Sequence, residues 1–446
     1  MGKYFGTDGI RGKANETLTT EIAYKVGRYL GYYCRNNGNA KVCIGKDTRI
    51  SSSMFENVLA AGLSASGCNV FLLGYCSTPC LAYVCEKDDF DYGVMISASH
   101  NPFYDNGIKV FSNNGIKINE TLEEEIEKYI DNPVNVDLAS DEKIGYIYEY
   151  KEGVNHYINW IKELYPSSLS SLKVLVDCAN GSNSYIAYQV LSDLKCNVKM
   201  INYNPKGTNI NLDCGSTHLE SLKNEIKKDN YDLGIAFDGD ADRVLFVDKN
   251  GNTIDGDIMM YILAKDLKRQ NKLFNNTVVA TVMSNIGFYK ALEKENIKVV
   301  TTFVGDKSVL DEMMKNSYSL GGEQSGHIIL LEDSRFGDGL KTALAIFKAL
   351  LDNHKTIEEF AKEIVIYPQL LENVVVKDKN IVLNDSDIKK KIESVSSLLR
   401  NDGRILVRPS GTEPLIRVMV EAATSEICKK YVDEVINLIV NKGYKK

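Results

Sequence analysis

The sequence predicts an α/β protein with three similar α/β units, each with a mixed, largely parallel sheet, and a smaller α+β unit at the C-terminal end. Helical and strand patterns alternate along most of the 446 residues, and the strands are short continuous apolar runs. Such runs are typical of sheets that are covered on both faces. Near residue 368 the pattern changes to two strands flanked by helices. A chain of this length has room for about three domains.

The elements can be assigned from the spacing of apolar residues. Between Ile22 and Tyr33 they recur on one helical face, while runs such as Val42–Ile44 are continuous and predict strands. The predicted helices are 22–33, 54–65, 121–131, 386–400 and 426–440. The predicted strands are 42–44, 70–73, 93–96, 174–177, 233–237, 244–248, 278–281, 298–303, 404–408 and 415–421. The expected domains are therefore 1–150, 151–253, 254–367 and 368–446.

Charge and composition narrow the classes of partner. The net charge is −7 and the pI is about 5.5, so there is no basic field for nucleic acid or a membrane surface. The uncharged stretch 57–85 is broken by Gly, Ser, Asn and Pro and does not predict a membrane span. Because no export signal is visible, the ten cysteines indicate reduced thiols in the cytoplasm. A small phosphorylated molecule is compatible with this charge, because a few focused basic residues can bind one phosphate on an acidic protein.

An acidic loop directly follows the apolar strand 233–237. Its carboxylates Asp238, Asp240 and Asp242 alternate with small residues, and ligands of open α/β sheets usually bind at such strand ends. Three carboxylates at this spacing can converge on Mg²⁺, which prefers oxygen ligands. The alternative is a solvated acidic turn, in which like charges would repel each other.

A second loop, residues 97–102, reads Ser-Ala-Ser-His-Asn-Pro and also follows a strand. Either Ser97 or Ser99 could act as a nucleophile beside His100, and the residues alone do not choose between them. An ordinary turn rich in Ser, Asn and Pro is the alternative.

Two further loops carry polar groups suited to a sugar phosphate. In residues 321–327, Glu323 and Ser325 are two positions apart and face the same side of an extended segment, where they can hold sugar hydroxyls. The loop that begins at Arg408 carries two hydroxyls, and it is followed by Arg417. These hydroxyls and the guanidiniums of Arg408 and Arg417 can bind a phosphate. Each loop read alone is also compatible with a plain hairpin turn.

Together these loops resemble the α-D-phosphohexomutase family over the whole chain. The resemblance includes Gly-Thr-Asp-Gly-Ile-Arg-Gly at 6–12 and Asp-Asn-Gly-Ile-Lys at 105–109. It implies three related α/β domains and a C-terminal α+β domain around a central cleft. It also implies that Ser99 is the phosphoserine and that Ser99, Asp238, Asp240 and Asp242 bind Mg²⁺.

The same resemblance implies roles for the remaining polar residues. Residues that stabilise charge or carry protons at the reacting phosphate are Arg11, His100, Lys109, Arg243 and His327. Residues that bind the sugar or the second phosphate are Gly305, Asp306, Glu323, Ser325, Arg408, Ser410, Gly411, Thr412 and Arg417. After Gly305-Asp306 the family often continues with Arg-Tyr, whereas this chain has Lys307-Ser308.

The motifs at 321–327 and 408–422 are most similar to the branch of the family that acts on glucosamine phosphates. They imply interconversion of glucosamine 6-phosphate and glucosamine 1-phosphate through a glucosamine or glucose 1,6-bisphosphate, in supply of UDP-N-acetylglucosamine and cell-wall precursors, by a monomer or homodimer. The alternatives are a glucose or mannose phosphate mutase, a phosphatase that uses Asp238 as nucleophile and Asp240 as acid and base, and a catalytically silent sugar-phosphate binding protein.

Overall fold

The computed structural model describes residues 2–134, 136–410 and 414–446. The chain forms two compact units, one of Met1–Val282 with Lys298–Ala361 and the other of Met283–Ile297 with Lys362–Lys446. Among the described residues, every helix is too short or too polar to cross a bilayer. Helices flank mixed sheets in the first unit and an antiparallel sheet in the second, so the predicted fold class is confirmed.

The first unit begins with a seven-stranded sheet of order β1-β2-β6-β5-β3-β4-β7. Helix α1 starts where the hydroxyl of Thr19 caps the amide of Ile22, and it buries its apolar face, including Val26 and Leu30, against the sheet. The elements are β1 (Phe5–Gly6), β2 (Gly9–Lys13), α1 (Thr20–Asn37), β3 (Lys41–Lys46), α2 (Ser52–Ala65), β4 (Asn69–Tyr75), α3 (Thr78–Lys87), β5 (Tyr92–Ile96), β6 (Asp105–Ser112), α4 (Glu120–Asp131) and β7 (Ile147–Glu149).

A five-stranded sheet follows, of order β12-β11-β10-β8-β9. Strand β10 is buried along its whole length, which explains its continuous apolar sequence. The elements are α5 (Glu152–Leu164), β8 (Lys173–Asp177), α6 (Ala187–Asp193), β9 (Asn197–Ile201), α7 (Glu220–Ile226), β10 (Leu233–Phe237), β11 (Val244–Asp248) and β12 (Thr253–Ile254).

The third sheet has four strands in the order β14-β13-β15-β16. Helix α9 lies in this stretch of sequence but belongs to the second compact unit. The elements are α8 (Gly256–Arg269), β13 (Thr277–Thr281), α9 (Ile286–Lys294), β14 (Lys298–Thr302), α10 (Asp306–Asn316), β15 (Leu320–Gly322), β16 (Ile328–Leu330), α11 (Gly339–Asn353) and α12 (Ile357–Ala361).

The three sheets share one four-stranded arrangement, seen in β4-β3-β5-β6, β9-β8-β10-β11 and β14-β13-β15-β16. In each, the first strand in the sequence pairs in parallel with the second and third, and the fourth is antiparallel to the third. The turn from the third to the fourth strand therefore begins at the carboxyl end of a parallel strand, where ligands usually bind. Residues 97–104, 238–243 and 323–327 occupy these equivalent turns.

In the second unit, β19 pairs with β17 on one side and with β18 on the other, always antiparallel. Apolar residues of β19 such as Val418 pack with Val432 and Ile439 of α15 in a separate core. The elements besides α9 are β17 (Gln369–Val375), α13 (Lys379–Asn384), α14 (Ser386–Leu399), β18 (Gly403–Pro409), β19 (Leu415–Ala422) and α15 (Ser425–Asn441).

Candidate active site

The turn after β5 presents Ser99 to the acidic loop after β10. The Ser99 hydroxyl donates to Asp238 Oδ2 at 2.7 Å and lies 3.1 Å from His100 Nδ1. The hydroxyl of Ser97 instead donates to Asp47 Oδ2 at 2.7 Å and accepts from the Ser99 amide at 2.9 Å. The Ser97 hydroxyl therefore stabilises the turn through its hydrogen bonds, whereas the Ser99 hydroxyl contacts the acidic loop.

Two residues that the sequence reasoning did not single out hold this turn in place. Arg49 donates from Nη2 to the carbonyl oxygens of Ser99 and Asn101, at 2.9 and 2.8 Å, and from Nε to Asp47 Oδ2 at 2.8 Å. The Asn211 amide donates to the Ser99 carbonyl at 2.9 Å. A signal for Arg49 exists in the sequence, because it follows an apolar strand closely, as the predicted site loops do.

The three carboxylates of the acidic loop converge. Ligand oxygens of Asp238, Asp240 and Asp242 lie within 4.8 Å of one another, and all three residues are buried. Oδ2 of Asp240 accepts from Lys109 Nζ at 2.8 Å and from the Thr78 hydroxyl at 2.5 Å. Oδ1 of Asp240 and Oδ1 of Asp242 are buried, and no hydrogen-bond partner for either atom lies among the residues that the structure describes.

This arrangement is unfavourable without a cation. Burial raises the pKa of Asp238 well above its ordinary value, and the charges of Asp242 and Asp240 raise it further. Buried carboxylate oxygens without donors are costly, and a hard divalent cation would satisfy them. The residues therefore fit a metal ion, and the acidic loop is a candidate metal site.

Basic side chains surround the carboxylates. Lys109 Nζ also lies 3.0 Å from Asp8 Oδ2, to which Arg11 donates. Burial alone would lower the pKa of Lys109, but Asp240 and Asp8 outweigh it and raise the pKa above the ordinary value. Arg243 Nε lies 3.8 Å from Asp242 Oδ1, and the Arg243 backbone amide donates to Asp238 Oδ1 at 3.3 Å. Lys109 and Arg243 therefore lie at the carboxylates, with Arg11 next to Lys109.

The two histidines of the site have different surroundings. Burial lowers the pKa of His100 to about 4, and Arg243 and Arg11 contribute to this shift, so the ring is neutral near pH 7. His327 Nδ1 lies 3.6 Å from Asp242 Oδ2. Burial would lower the pKa of His327 as well, but the carboxylate outweighs it and raises the pKa. The two imidazoles of the site thus have pKa values shifted in opposite directions, lowered for His100 by burial and raised for His327 by Asp242.

The third equivalent turn carries the predicted sugar-binding residues. Glu323 Oε1 accepts from the Gly305 amide at 3.0 Å, which brings these two predicted ligands together. Ser325 is exposed at the tip of the turn. A cavity of about 440 Å³ lies beside Asp306 and His327, which both line it. The hydrogen bond between Gly305 and Glu323 thus joins the turn to the β14–α10 connection.

In the second unit, Arg408 on β18 is directly opposite Arg417 on β19. Burial lowers the pKa of Arg408, and the neighbouring Arg417 lowers it further. Like charges directly opposite on paired strands are unfavourable, and a bound phosphate would relieve them. Ser410 is buried next to this pair, whereas the predicted ligands Gly411 and Thr412 lie outside the described residues.

The first unit therefore brings together residues from several predicted motifs, and it adds contacts that the residues alone did not reveal. Asp8 lies within the quoted 6–12 motif, and Lys117 follows the predicted Lys109 motif, but neither position had an assigned role. No pattern in the sequence marked Thr78 or Asn211 as site residues, because their contacts depend on how strands far apart in the sequence are arranged. The added site residues are Asp8, Asp47, Arg49, Thr78, Lys117 and Asn211.

Comparison with known proteins identifies the family. Four ranges match domains of the phosphoglucomutase/phosphomannomutase family: residues 2–136 match alpha/beta/alpha domain I, 150–251 domain II, 255–367 domain III and 371–438 the C-terminal domain. Curated phosphoglucosamine mutases are similar over the whole chain. The one from Lachnospira eligens is 50% identical over 448 residues, covering 100% of each protein.

Solved structures share the fold. A phosphoglucomutase/phosphomannomutase family protein from Burkholderia thailandensis has a TM-score of 0.82 at 22% identity, covering 99% of this chain and 98% of that one. The N-acetylphosphoglucosamine mutase of Aspergillus fumigatus, in complex with GlcNAc-6P and magnesium, has a TM-score of 0.71 at 18% identity, covering 99% and 96%. The chain therefore belongs to the phosphoglucomutase/phosphomannomutase family, the α-D-phosphohexomutases, and it is 47–50% identical to curated phosphoglucosamine mutases over 98–100% of its length.

Proposed function

We propose that this enzyme interconverts glucosamine 6-phosphate and glucosamine 1-phosphate through a phosphorylated Ser99 and a 1,6-bisphosphate intermediate. The chain is an isomerase with phosphoglucosamine mutase function, as its full-length similarity to curated enzymes of that activity establishes. The course of the reaction rests on one observation, the 2.7 Å contact between the Ser99 hydroxyl and Asp238 inside a cluster of three carboxylates.

Asp238, Asp240 and Asp242 would hold Mg²⁺ together with an oxygen of the Ser99 phosphate. When bound, this ion supplies positive charge that offsets the charge of the transferring oxygens. The chain contributes the rest of the electrostatics with its own side chains, because phosphoryl transfer depends mainly on positioning and charge stabilisation. Residues that would stabilise this charge or carry a proton are Arg11, His100, Lys109, Arg243 and His327.

In the first half-reaction the O1 hydroxyl of glucosamine 6-phosphate attacks the phosphorus of phospho-Ser99. A bond forms between O1 and phosphorus, the bond between phosphorus and the Ser99 oxygen breaks, and the proton of O1 passes to the Ser99 oxygen. The product is the 1,6-bisphosphate. After it turns around, the Ser99 hydroxyl attacks the phosphorus on O6, the bond between that phosphorus and O6 breaks, and the serine proton passes to O6. The net result is glucosamine 1-phosphate and the original phosphoenzyme.

Separate groups of residues would bind the sugar and the phosphate that is not transferred. Glu323 and Ser325 would hold sugar hydroxyls, with Gly305 and Asp306 beside them. The loop of the second unit would hold the phosphate that is not being transferred. Since a guanidinium fork recognises phosphate rather than sugar, it can accept either orientation of the bisphosphate. The phosphate-binding residues of this loop are Arg408, Ser410, Gly411, Thr412 and Arg417.

We also propose the domains 1–150, 151–253, 254–367 and 368–446, which the four matched family ranges support.

All ten cysteines are buried free thiols, which favours a reducing cytoplasm as the place of action. A monomer or a homodimer would suffice, because each chain carries all the proposed ligands. Sedimentation of the purified enzyme distinguishes these two states.

The decisive experiment compares glucosamine, glucose and mannose 6-phosphates at equal concentration in coupled assays. We expect the highest kcat/KM for the glucosamine compound. A preference for glucose or mannose phosphate would reject the proposed substrate. Peptide mapping of the purified protein tests the intermediate: acid-stable phosphate on Ser99 supports it, whereas hydroxylamine-labile phosphate on Asp238 would indicate aspartyl-phosphate chemistry instead.

A further inference from the structure

A series of alternating charges runs through the first unit and connects the acidic loop to the β14–α10 connection. Each neighbouring pair is within ion-pair distance. The separations along the series are 2.8, 3.0, 2.7 and 2.6 Å. The members, in spatial order, are Asp240, Lys109, Asp8, Lys117 and Asp306.

Lys117 is the cation of this series that has no role in the proposed reaction. Its ammonium lies 2.7 Å from Asp8 Oδ1 and 2.6 Å from Asp306 Oδ2, and it donates to the Thr7 carbonyl at 3.4 Å. An ammonium has three N–H donors, so these contacts use all of them. The Lys117 side chain is only 15% exposed, which reduces the screening of both ion pairs by solvent.

The two carboxylates that Lys117 connects serve different parts of the site. Oδ2 of Asp8 contacts Lys109 Nζ at 3.0 Å and also accepts from Arg11, both of them placed at the transferring phosphate. Asp306 begins α10, directly after Gly305, whose amide donates to Glu323 at 3.0 Å. Lys117 therefore lies between the phosphate-facing cations and the sugar-facing loop.

We propose that Lys117 is a positioning residue that fixes the β14–α10 connection, and through it Glu323, relative to the cations at the transferring phosphate. This inference rests on the proposed function, because it assigns the two sides of the site their ligands from that reaction. Without the ammonium, Asp306 would lose its ion-pair contact and would face Asp8, which would keep only its contacts with Lys109 and Arg11. Like charges repel, so the connection would move away and the sugar would be held less well.

A second ion pair at the same connection provides a matched control. Lys307, next to Asp306, contacts Glu120 Oε1 at 3.0 Å, but these side chains are 48% and 79% exposed. Exposed pairs contribute little because solvent screens them. Both Lys117 and Lys307 line the cavity beside His327 and a neighbouring one of about 310 Å³. The two lysines differ mainly in how many carboxylates they connect and in their burial.

The test compares Lys117→Met, Lys117→Arg and Lys307→Met with the wild-type enzyme. Methionine keeps the length of the side chain and removes its charge, whereas arginine keeps the charge. We expect Lys117→Met to raise KM for glucosamine 6-phosphate about tenfold, which corresponds to about 1.4 kcal/mol, with kcat within about threefold of wild type. Lys117→Arg should recover most of the loss, and Lys307→Met should stay within about twofold of wild type.

Calorimetric titration with glucosamine 6-phosphate gives a dissociation constant that does not depend on turnover, and it should rise in parallel with KM. Unchanged KM and Kd in Lys117→Met, a loss confined to kcat, or an equal loss in Lys307→Met would each reject the positioning role. If Lys117→Met does not fold, Lys117→Gln replaces it under the same criteria. Absence of turnover in the wild-type enzyme would reject the proposed function instead, and the calorimetric comparison would still decide the role of Lys117.

Discussion

The hydroxyl oxygen of Ser99 lies 2.7 Å from Oδ2 of Asp238, although 139 positions separate the two residues in the chain. Both residues occupy the same turn of the shared four-stranded arrangement, Ser99 between β5 and β6 and Asp238 between β10 and β11. Two equivalent turns are therefore in direct contact. The contact joins the predicted nucleophile to the candidate metal site.

This contact predicts different results for the two serines of the turn. Ser99→Ala should abolish mutase turnover, because no hydroxyl remains to carry the phosphoryl group, while the circular dichroism spectrum and Tm stay near wild type. The control Ser97→Ala removes the acceptor of the Ser99 amide and the donor to Asp47. It should lower kcat and stability but leave Ser99 phosphorylated.

Two results would contradict the assignment of Ser99. One is more than a few per cent of wild-type kcat in Ser99→Ala. The other is phosphate on Ser97 in the peptide map of the wild-type enzyme.

The candidate metal site predicts the response to Mg²⁺. Asp240→Asn replaces a carboxylate with a neutral amide, which binds a hard cation more weakly, so the half-saturating Mg²⁺ concentration for activity should rise at least tenfold. Mg²⁺ should also raise the Tm of the wild-type protein, since binding to the folded state stabilises it. This rise should be smaller in the variant. Differential scanning fluorimetry across a Mg²⁺ titration measures it.

Asp248→Asn is the control for this experiment. Asp248 is also a buried aspartate, but its carboxylate accepts from the amides of Asn250 and Asn252 in a turn, at 2.9 and 2.8 Å. The substitution should lower the Tm without changing the Mg²⁺ concentration dependence. Identical Mg²⁺ titrations of Asp240→Asn and wild type would exclude the acidic loop as the metal site.

The helices and strands assigned from the sequence correspond to elements of the structure, because buried parallel strands are continuous apolar runs and their ends are marked by abrupt polar motifs. The strand 233–237 and the loop with Asp238 show this directly. Other elements, such as α3, β6 and α11, were not assigned. The sequence also did not predict the contacts that hold the site loops. Arg49 reaches the Ser99 carbonyl only because β3 pairs with β5, and strand neighbours are set by tertiary packing.

The choice between Ser97 and Ser99 shows the same limit of local reasoning. Both residues have hydroxyls near His100 in the sequence, and only the backbone geometry separates them. Ser99 has a φ of 52°, in the left-handed region, and its side chain points toward the acidic loop. A single backbone angle of this kind is decided by the hydrogen bonds around the turn, which a linear pattern does not contain.

Arg49 should be essential for the geometry of the Ser99 turn. Arg49→Lys keeps the charge but cannot reproduce the fork of hydrogen bonds to Asp47 and the loop carbonyls. Loop carbonyls left buried without a donor cost about 1–3 kcal/mol of unfolding free energy, and kcat should fall at the same time because Ser99 is no longer fixed. Urea unfolding and the coupled assay measure the two effects.

Arg28→Lys is the control that distinguishes the loss of stability from the loss of kcat in Arg49→Lys. Arg28 is also buried, and it donates to the Ser66 hydroxyl at 3.0 Å and to the Val136 carbonyl at 3.0 Å. The control should lose stability but keep its kcat. If Arg49→Lys kept its kcat as well, the arginine would be part of the scaffold alone.

The buried ammonium of Lys341 should make the unfolding free energy of the protein depend on pH. It is fully buried and donates to the Ser334 hydroxyl at 2.7 Å. Burial lowers the pKa of its ammonium below 10.5, although Asp333 and Asp338 oppose the shift. The unfolded chain therefore binds more protons between the lowered pKa and 10.5, so this group makes the unfolding free energy rise with pH in that window.

Lys341→Met should remove this part of the slope, so that its unfolding free energy rises less with pH than that of wild type. Lys348→Met, on the same helix but with a partly exposed side chain, is the control and should follow the wild-type slope. Urea unfolding at a series of pH values from 7 to about 10.5 measures both. Parallel curves for Lys341→Met and wild type would show that the buried amine does not titrate in this window.

We expect the guanidinium of Arg417 to contribute to binding of the sugar phosphate and not to the chemical step. Arg417→Ala should raise KM for the sugar phosphate about 10- to 150-fold, because it removes a charge-assisted contact of roughly 1.5–3 kcal/mol. If the contact is equally strong in the ground and transition states, kcat stays within a few-fold of wild type. Arg417→Lys should recover only part of the loss, since an ammonium keeps the charge but not the fork.

A mutase adds a consequence that a simple binding defect does not have. The 1,6-bisphosphate must stay bound while it turns around, so a weakened phosphate site should release more of it. Released intermediate leaves Ser99 without phosphate and the enzyme inactive, and added 1,6-bisphosphate should partly restore the activity of Arg417→Ala. Progress curves with and without bisphosphate test this. An unchanged KM together with no rescue would mean that the β18–β19 loop does not bind the second phosphate, because both effects depend on the same contact.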